Sequence, residues 1–262
     1  MILVTGATGL SGSIVIREFA RQTTPVRALV RTRAKSRALE TLPTVALVEG
    51  DMLRPETLAA ALHSVDRVLM ISSSDPRMVE TQCTFIDACK KAGIKHVVKF
   101  SGAESGIGFD PGKFRFVRMH EEIDRYLERS GLAWTHLRPS QFMQVYLREA
   151  PTIVAENVLY LPMDNARLSP VDIEDIARVA LRLVSLAAIA VPRMPSIMAV
   201  KVFLVKPSIR SGRLESTYTT LIDQECVLLE SSGPASEAHL GELGWSRDGM
   251  LTEPDTPADG HD

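Results

Sequence analysis

The chain opens on MILVTGATGLSG, residues 1–12. Ile2, Leu3, Val4 and Thr5 form a short apolar, β-branched run, and Gly6, Gly9 and Gly12 follow at three-residue intervals. Leu10, Ile14, Val15 and Phe19 then recur at the spacing of one helix face. The order is strand, glycine-rich turn, helix. Bare backbone in such a turn lets a ligand approach closely, and the amino end of the helix offers unpaired N–H groups and partial positive charge. Together these make a phosphate site.

The opening unit sets the pattern for the next 130 residues. Apolar, β-branched runs recur at 26–30 (VRALV), 45–50 (VALVEG), 67–72 (RVLMIS), 96–101 (HVVKFS) and 133–138 (AWTHLR). Several are nearly continuous apolar runs, as expected of parallel strands covered on both faces. Helical patterns lie between them, at Leu58, Ala61 and Leu62 and over 76–92, where Gly93 closes the helix. The fold class expected is α/β, a doubly wound, Rossmann-like parallel sheet with a small, divergent C-terminal lobe. Residues 1–140 read as the dinucleotide-binding domain and 141–245 as a smaller substrate lobe, whose pattern is lost beyond 184. The stretch 246–262, acidic and rich in proline and glycine, reads as a disordered tail.

Bulk properties exclude several classes. In 262 residues, 45% are hydrophobic and 24% charged, the balance of an ordinary globular protein. A net charge of −2 supplies no basic field for nucleic acid or an acidic membrane. No apolar stretch approaches the roughly 18 residues of a membrane span, and no basic segment precedes the first strand. Cys83, Cys89 and Cys226 form no C-x-x-C pair, which favours a reducing compartment. A cytoplasmic location is expected. The six histidines fall at no metal-ligand spacing, and no G-x-S-x-G elbow marks a hydrolase.

The second strand selects the nucleotide. An acidic residue at its end would hold the ribose 2′-hydroxyl of NAD. Here the segment is VRTRAKSR, with Arg31 nineteen residues past Gly12 and Lys35 close behind. Arginine suits a 2′-phosphate through a charge-assisted, bidentate contact. NADP(H) is therefore expected ahead of NAD(H). The pyrophosphate falls to Gly6, Ala7, Thr8, Gly9, Leu10, Ser11 and Gly12. Asp51 at the end of the third strand could accept from the adenine amino group, with Met52 against the ring; Ser72 and Ser73 follow the fourth and could line the cofactor's middle.

These segments, with HVVKFSG, WTHLRPSQFM and SPVDIEDIARVA, resemble the NmrA-like group of atypical short-chain dehydrogenase/reductases over residues 1–184. The resemblance implies NADP(H) binding, with Ser101, Pro139 and Ser140 on the nicotinamide side. It also implies either reduction of small quinones, azo dyes and related aromatics, or a catalytically silent redox sensor that changes its protein contacts. The chain departs from the active enzymes in one respect: no tyrosine is followed four residues later by lysine. The corresponding helix carries RMHEEID, with His120 near the tyrosine's place and Asp124 at the lysine's. Histidine exchanges protons near neutral pH, and an acid at i+4 shares its face. His120 and Ser101 are thus the catalytic candidates for an NADPH-dependent reduction of a small quinone, carbonyl or aromatic acceptor. A second departure is that the family's C-terminal pattern is not recognisable beyond Val184.

Overall fold

The computed structural model describes residues 1–102, 112, 114–139, 141–158 and 170–186, with the backbone of 208–210 and 213–215. The chain divides into two units, Met1–Glu225 and Cys226–Asp262, and the described residues all belong to the first. The expected tail, most of the expected lobe and Ser140 lie outside the described residues.

Elements alternate as β1 (Ile2–Val4), α1 (Leu10–Arg21), β2 (Val26–Val30), α2 (Arg37–Glu40), β3 (Val45–Glu49), α3 (Ala59–Leu62), β4 (Arg67–Met70) and α4 (Met78–Lys91). They continue with β5 (His96–Phe100), α5 (Arg115–Arg129), β6 (Ala133–Leu137), α6 (Ala150–Glu156) and α7 (Ile173–Leu186). A short antiparallel pair, β7 (Ser208–Arg210) and β8 (Arg213–Glu215), completes the order. The six expected strands are all present, each starting at the expected residue, and all but β2 end one or two residues early.

These six strands form one parallel sheet in the order β3-β2-β1-β4-β5-β6. The chain winds outward from β1 to β3, crosses back, and winds outward again from β4. Ligands bind where the direction reverses, at the carboxyl ends of β1 and β4. Thr5 fastens that point: its hydroxyl donates to the Ile71 carbonyl at 2.6 Å and accepts from the Ile71 amide at 2.8 Å.

Strand alternation divides the core in two. Val4, Ala28, Leu69, Val98 and Leu137 face α1 and α7 and pack on Val15, Phe19, Ile176 and Ala180. Leu3, Leu29, Val68, Met70 and Val97 face the other way, onto Phe85 and Ile86 of α4 and Ile123 and Leu127 of α5. Asp172 caps α7, accepting from the Glu174 amide at 2.7 Å and from the Gln144 side chain at 2.7 Å. The stripe read on α1 needs one correction. Leu10 is 53% exposed because it opens the helix at the rim of the sheet, and Ile16 takes the buried place instead.

Candidate functional site

Two of the three opening glycines have distinct steric causes. Gly6 adopts φ +62, and a side chain there would meet the Ile71 carbonyl oxygen at 2.8 Å. At Gly12 a Cβ would stand 2.1 Å from the Gly6 carbonyl oxygen, so α1 can seat against the turn only through glycine. That close seating directs the first turn of α1 at the crevice. Gly9 is its N-cap, no side chain caps the helix, and no acidic residue stands in the first turn. The Ser13 amide is bonded to the Gly9 carbonyl, whereas those of Leu10, Ser11 and Gly12 have no partner among the described residues. The turn is an anion cradle built from backbone.

Thr8, Arg31, Thr32 and Lys35 line a cavity of about 300 Å³ at the ends of β1 and β2. Arg33 is occupied elsewhere, donating from its guanidinium to the Leu47 carbonyl at 3.0 Å and from its amide to Glu49 at 2.9 Å. Arg31 and Lys35, both exposed, have no ion-pair partner among the described residues. The cationic pocket therefore adjoins the cradle, and the residues present fit a dinucleotide carrying a further phosphate.

Other expected residues take up differing places. Asp51 turns one carboxylate oxygen back onto the Leu53 amide at 3.0 Å, and Met52 is buried in the core on the α4 side. Ser72 accepts from the Gln82 side chain at 2.8 Å, while Ser73 is exposed. Pro139 is buried just after β6.

The catalytic candidates belong to a buried polar cluster that extends well beyond them. Lys99, in the middle of β5, is fully buried. Its ammonium lies 2.7 Å from Asp124 Oδ1 and donates to Ser101 Oγ at 3.0 Å. It also lies 3.1 Å from His120 Nδ1. The Ser101 hydroxyl donates to the Asp124 carboxylate, 3.1 Å from each oxygen. Arg138, just after β6, pairs with Asp124 Oδ2 at 2.9 Å, and His136 of β6 bonds Glu128 through Nε2 at 3.0 Å. Residues i and i+2 of β5 share one face of the sheet, and i and i+4 of α5 share one face of the helix, so four side chains converge.

Electrostatics fix the charge states. Burial by itself would raise Asp124, but Lys99, His136 and the hydrogen bonds from Lys99 and Arg138 outweigh it and hold the carboxyl at about 2. Burial, and then the Lys99 ammonium, push His120 down to about 3. Burial lowers His136 to about 4 against the pull of Asp124. Lys99 is itself lowered, chiefly by burial and partly restored by Asp124. His120 thus departs from the sequence expectation of a group titrating near neutrality: it is a neutral imidazole at pH 7. The Ser101 hydroxyl is already engaged as a hydrogen-bond donor to the Asp124 carboxylate.

Sequence reading missed Lys99 and Arg138. The signal for Lys99 was legible: a lysine inside the otherwise apolar HVVKF of a strand covered on both faces must be paired. A larger groove, about 860 Å³, lies along α4 and α5 between residues such as Asp87, Arg118, Glu121 and Tyr126. It contains none of the expected site residues. Thiolate chemistry at the two described cysteines is disfavoured, because burial pushes Cys83 up to about 11 and Cys89 higher still.

The family described as NAD(P)H-binding matches residues 6–185, ending where the sequence pattern is lost. The NAD(P)H azoreductase of Xenophilus azovorans is 38% identical over 183 residues, 70% of this chain and 62% of that protein. Quinone oxidoreductase 2 of Escherichia coli is 31% identical over 189 residues, 71% of this chain and 64% of that protein. The crystal structure of the Escherichia coli NADPH-dependent quinone oxidoreductase QOR2 complexed with NADPH superposes with a TM-score of 0.62 at 29% identity, over 71% of this chain and 65% of that one. The chain thus spans a little over three fifths of the relatives it matches.

Proposed function

The chain belongs to the NAD(P)H-binding family of NmrA-like, atypical short-chain dehydrogenase/reductases, and from that premise we propose that it is an NADPH-dependent oxidoreductase reducing a small quinone or azo acceptor. The observation that carries this reading is the pairing of a backbone anion cradle with a cationic pocket at Arg31 and Lys35. The first suits a pyrophosphate and the second a 2′-phosphate, whereas a ribose hydroxyl would call for a carboxylate there. The acceptor class follows the azoreductase and quinone oxidoreductase among the relatives. When bound, the dinucleotide supplies hydride, and acceptors of this kind need little acid assistance beyond one proton. The chain's own task is to hold the cofactor's phosphates, seat the acceptor beyond the ends of β4–β6, and deliver that proton beside His120. We place the reaction in the cytoplasm, where Cys83 and Cys89 remain thiols.

Two measurements test the proposal. Calorimetry should give micromolar NADPH binding with a matching rise in Tm, and NADPH should be consumed in the presence of quinones or azo dyes. Tight NADPH binding with no turnover across such a panel would move the protein to the sensor reading. Absence of binding would overturn both.

A further inference from the structure

The buried cluster has more polar groups than an acceptor-binding wall requires. Lys99 is wholly enclosed and cannot touch an acceptor, yet its Nζ lies 3.1 Å from His120 Nδ1. An ammonium has no lone pair, so it must be the donor and Nδ1 the acceptor. The imidazole then carries its own proton on Nε2, which has no partner among the described residues. Asp124 fixes the arrangement from beneath: it lies on the same helix face as His120, holds the Lys99 ammonium at 2.7 Å, and is itself anchored by Ser101 and Arg138. Resting on the oxidoreductase reading, we infer that Lys99 feeds a proton relay through His120, with Lys99 and Asp124 as positioning residues for the imidazole that protonates the reduced acceptor.

The step balances. The acceptor gains hydride from the cofactor, and its oxygen or nitrogen forms a bond to the Nε2 proton as the Nε2–H bond breaks. Nδ1 takes a proton from Lys99 Nζ as that N–H bond breaks. The imidazole stays neutral with its tautomer exchanged, and Lys99 is left as an amine beside Asp124 and Arg138. Solvent then protonates Nε2, and Nδ1 returns its proton to Lys99, so the buried amine needs no path of its own to water. A neutral imidazole that resists protonation suits this role, because it passes a proton without storing one. Burial first, and then Lys99 from β5 and Arg138 just after β6, disfavour the imidazolium, and Asp124 opposes them from α5. The strand thereby provides the ammonium that helix position 124, an aspartate, does not.

The test combines Lys99→Met, His120→Gln and the double variant of the full chain, assayed with NADPH and a quinone or azo dye the wild type reduces. Lys99→Met should lower kcat at least tenfold with acceptor KM and NADPH Kd nearly unchanged. A proton inventory in mixed H2O and D2O, curved for the wild type, should become linear. His120→Gln keeps a donor but cannot relay, and should lose as much. The double variant should be no worse than His120→Gln, since both act on one chain of transfer. Independently of turnover, NMR of nitrogen-labelled histidine should show His120 as the Nε2–H tautomer at pH 7. In Lys99→Met its pKa should rise towards 6.5.

Losses that multiply in the double variant, undiminished kcat in either single variant, or an Nδ1–H tautomer in the wild type would each overturn the relay. If Lys99→Met does not fold, His120→Gln and the wild-type tautomer decide the matter. A wild type that reduces no acceptor would sink the oxidoreductase reading, whatever its tautomer.

Discussion

Arg31 is exposed, lines the cavity beside the phosphate cradle, and has no ion-pair partner among the described residues to release on binding. A charge-assisted hydrogen bond contributes about 1.5–3 kcal/mol, or roughly ten- to hundredfold in affinity. Arg31→Glu should therefore weaken NADPH at least tenfold while NADH changes little, as read by calorimetric titration of both cofactors. Equal losses for the two would remove the 2′-phosphate from this strand end. The cationic strand end was legible in the sequence because it depends only on distance from the glycine turn. Met52 shows the converse. Its position after β3 suggested a cofactor contact, but it is only 8% exposed and buried among core side chains, a fact its neighbours in sequence do not disclose.

The seating of α1 depends on competing effects of known size. Alanine is favoured over glycine by about 1 kcal/mol within a helix, which alone would make Gly12→Ala stabilising. A Cβ at position 12, however, would lie 2.1 Å from a backbone carbonyl that cannot retreat. Overpacking of this kind costs about 1–3 kcal/mol and occasionally more. Gly12→Ala should thus destabilise the protein by about 2 kcal/mol and also weaken cofactor binding by tilting the helix start. At Gly9 the nearest approach is 3.3 Å and φ is −77, so Gly9→Ala should stay within about 1 kcal/mol of wild type. Urea titration of both variants checks the contrast, and equal effects would mean that α1 is not held by the close contact. In β5, burying Lys99 costs more than burying its apolar neighbours, a cost the strand carries only because α5 supplies Asp124 and His120 around it and Ser101 follows at the strand's own end.

For the molecule as a whole, the polar cluster links stability to pH. His120 and His136 have folded values of about 3 and about 4, against 6.5 for an unperturbed histidine. Between those limits the unfolded chain binds more protons than the folded one, so stability falls as pH falls from 6.5. Each histidine contributes a slope approaching about 1.4 kcal/mol per pH unit across its window. Asp124, lowered from 3.8 to about 2, extends the loss to still more acid conditions. Urea midpoints measured at pH 7, 6 and 5 should fall progressively with the m-value unchanged. A constant midpoint over that range would show that these histidines accept protons in the folded state. No helix among the described residues is long and apolar enough to cross a membrane, and the described core is that of a sheet covered on both faces.

By itself the sequence determined the alternation of strands and helices, the glycine turn and the cationic strand end. Each of these is local: a periodicity, a spacing or a residue's own backbone preference, readable from residues close along the chain. Only the tertiary structure decided that residues 99, 101, 120, 124 and 138 meet. They come from the ends of two strands and from one helix, and their contact depends on which face of the sheet α5 covers. That choice is made by packing across the core, where removing charge from water makes an isolated lysine unstable and a matched cluster tolerable.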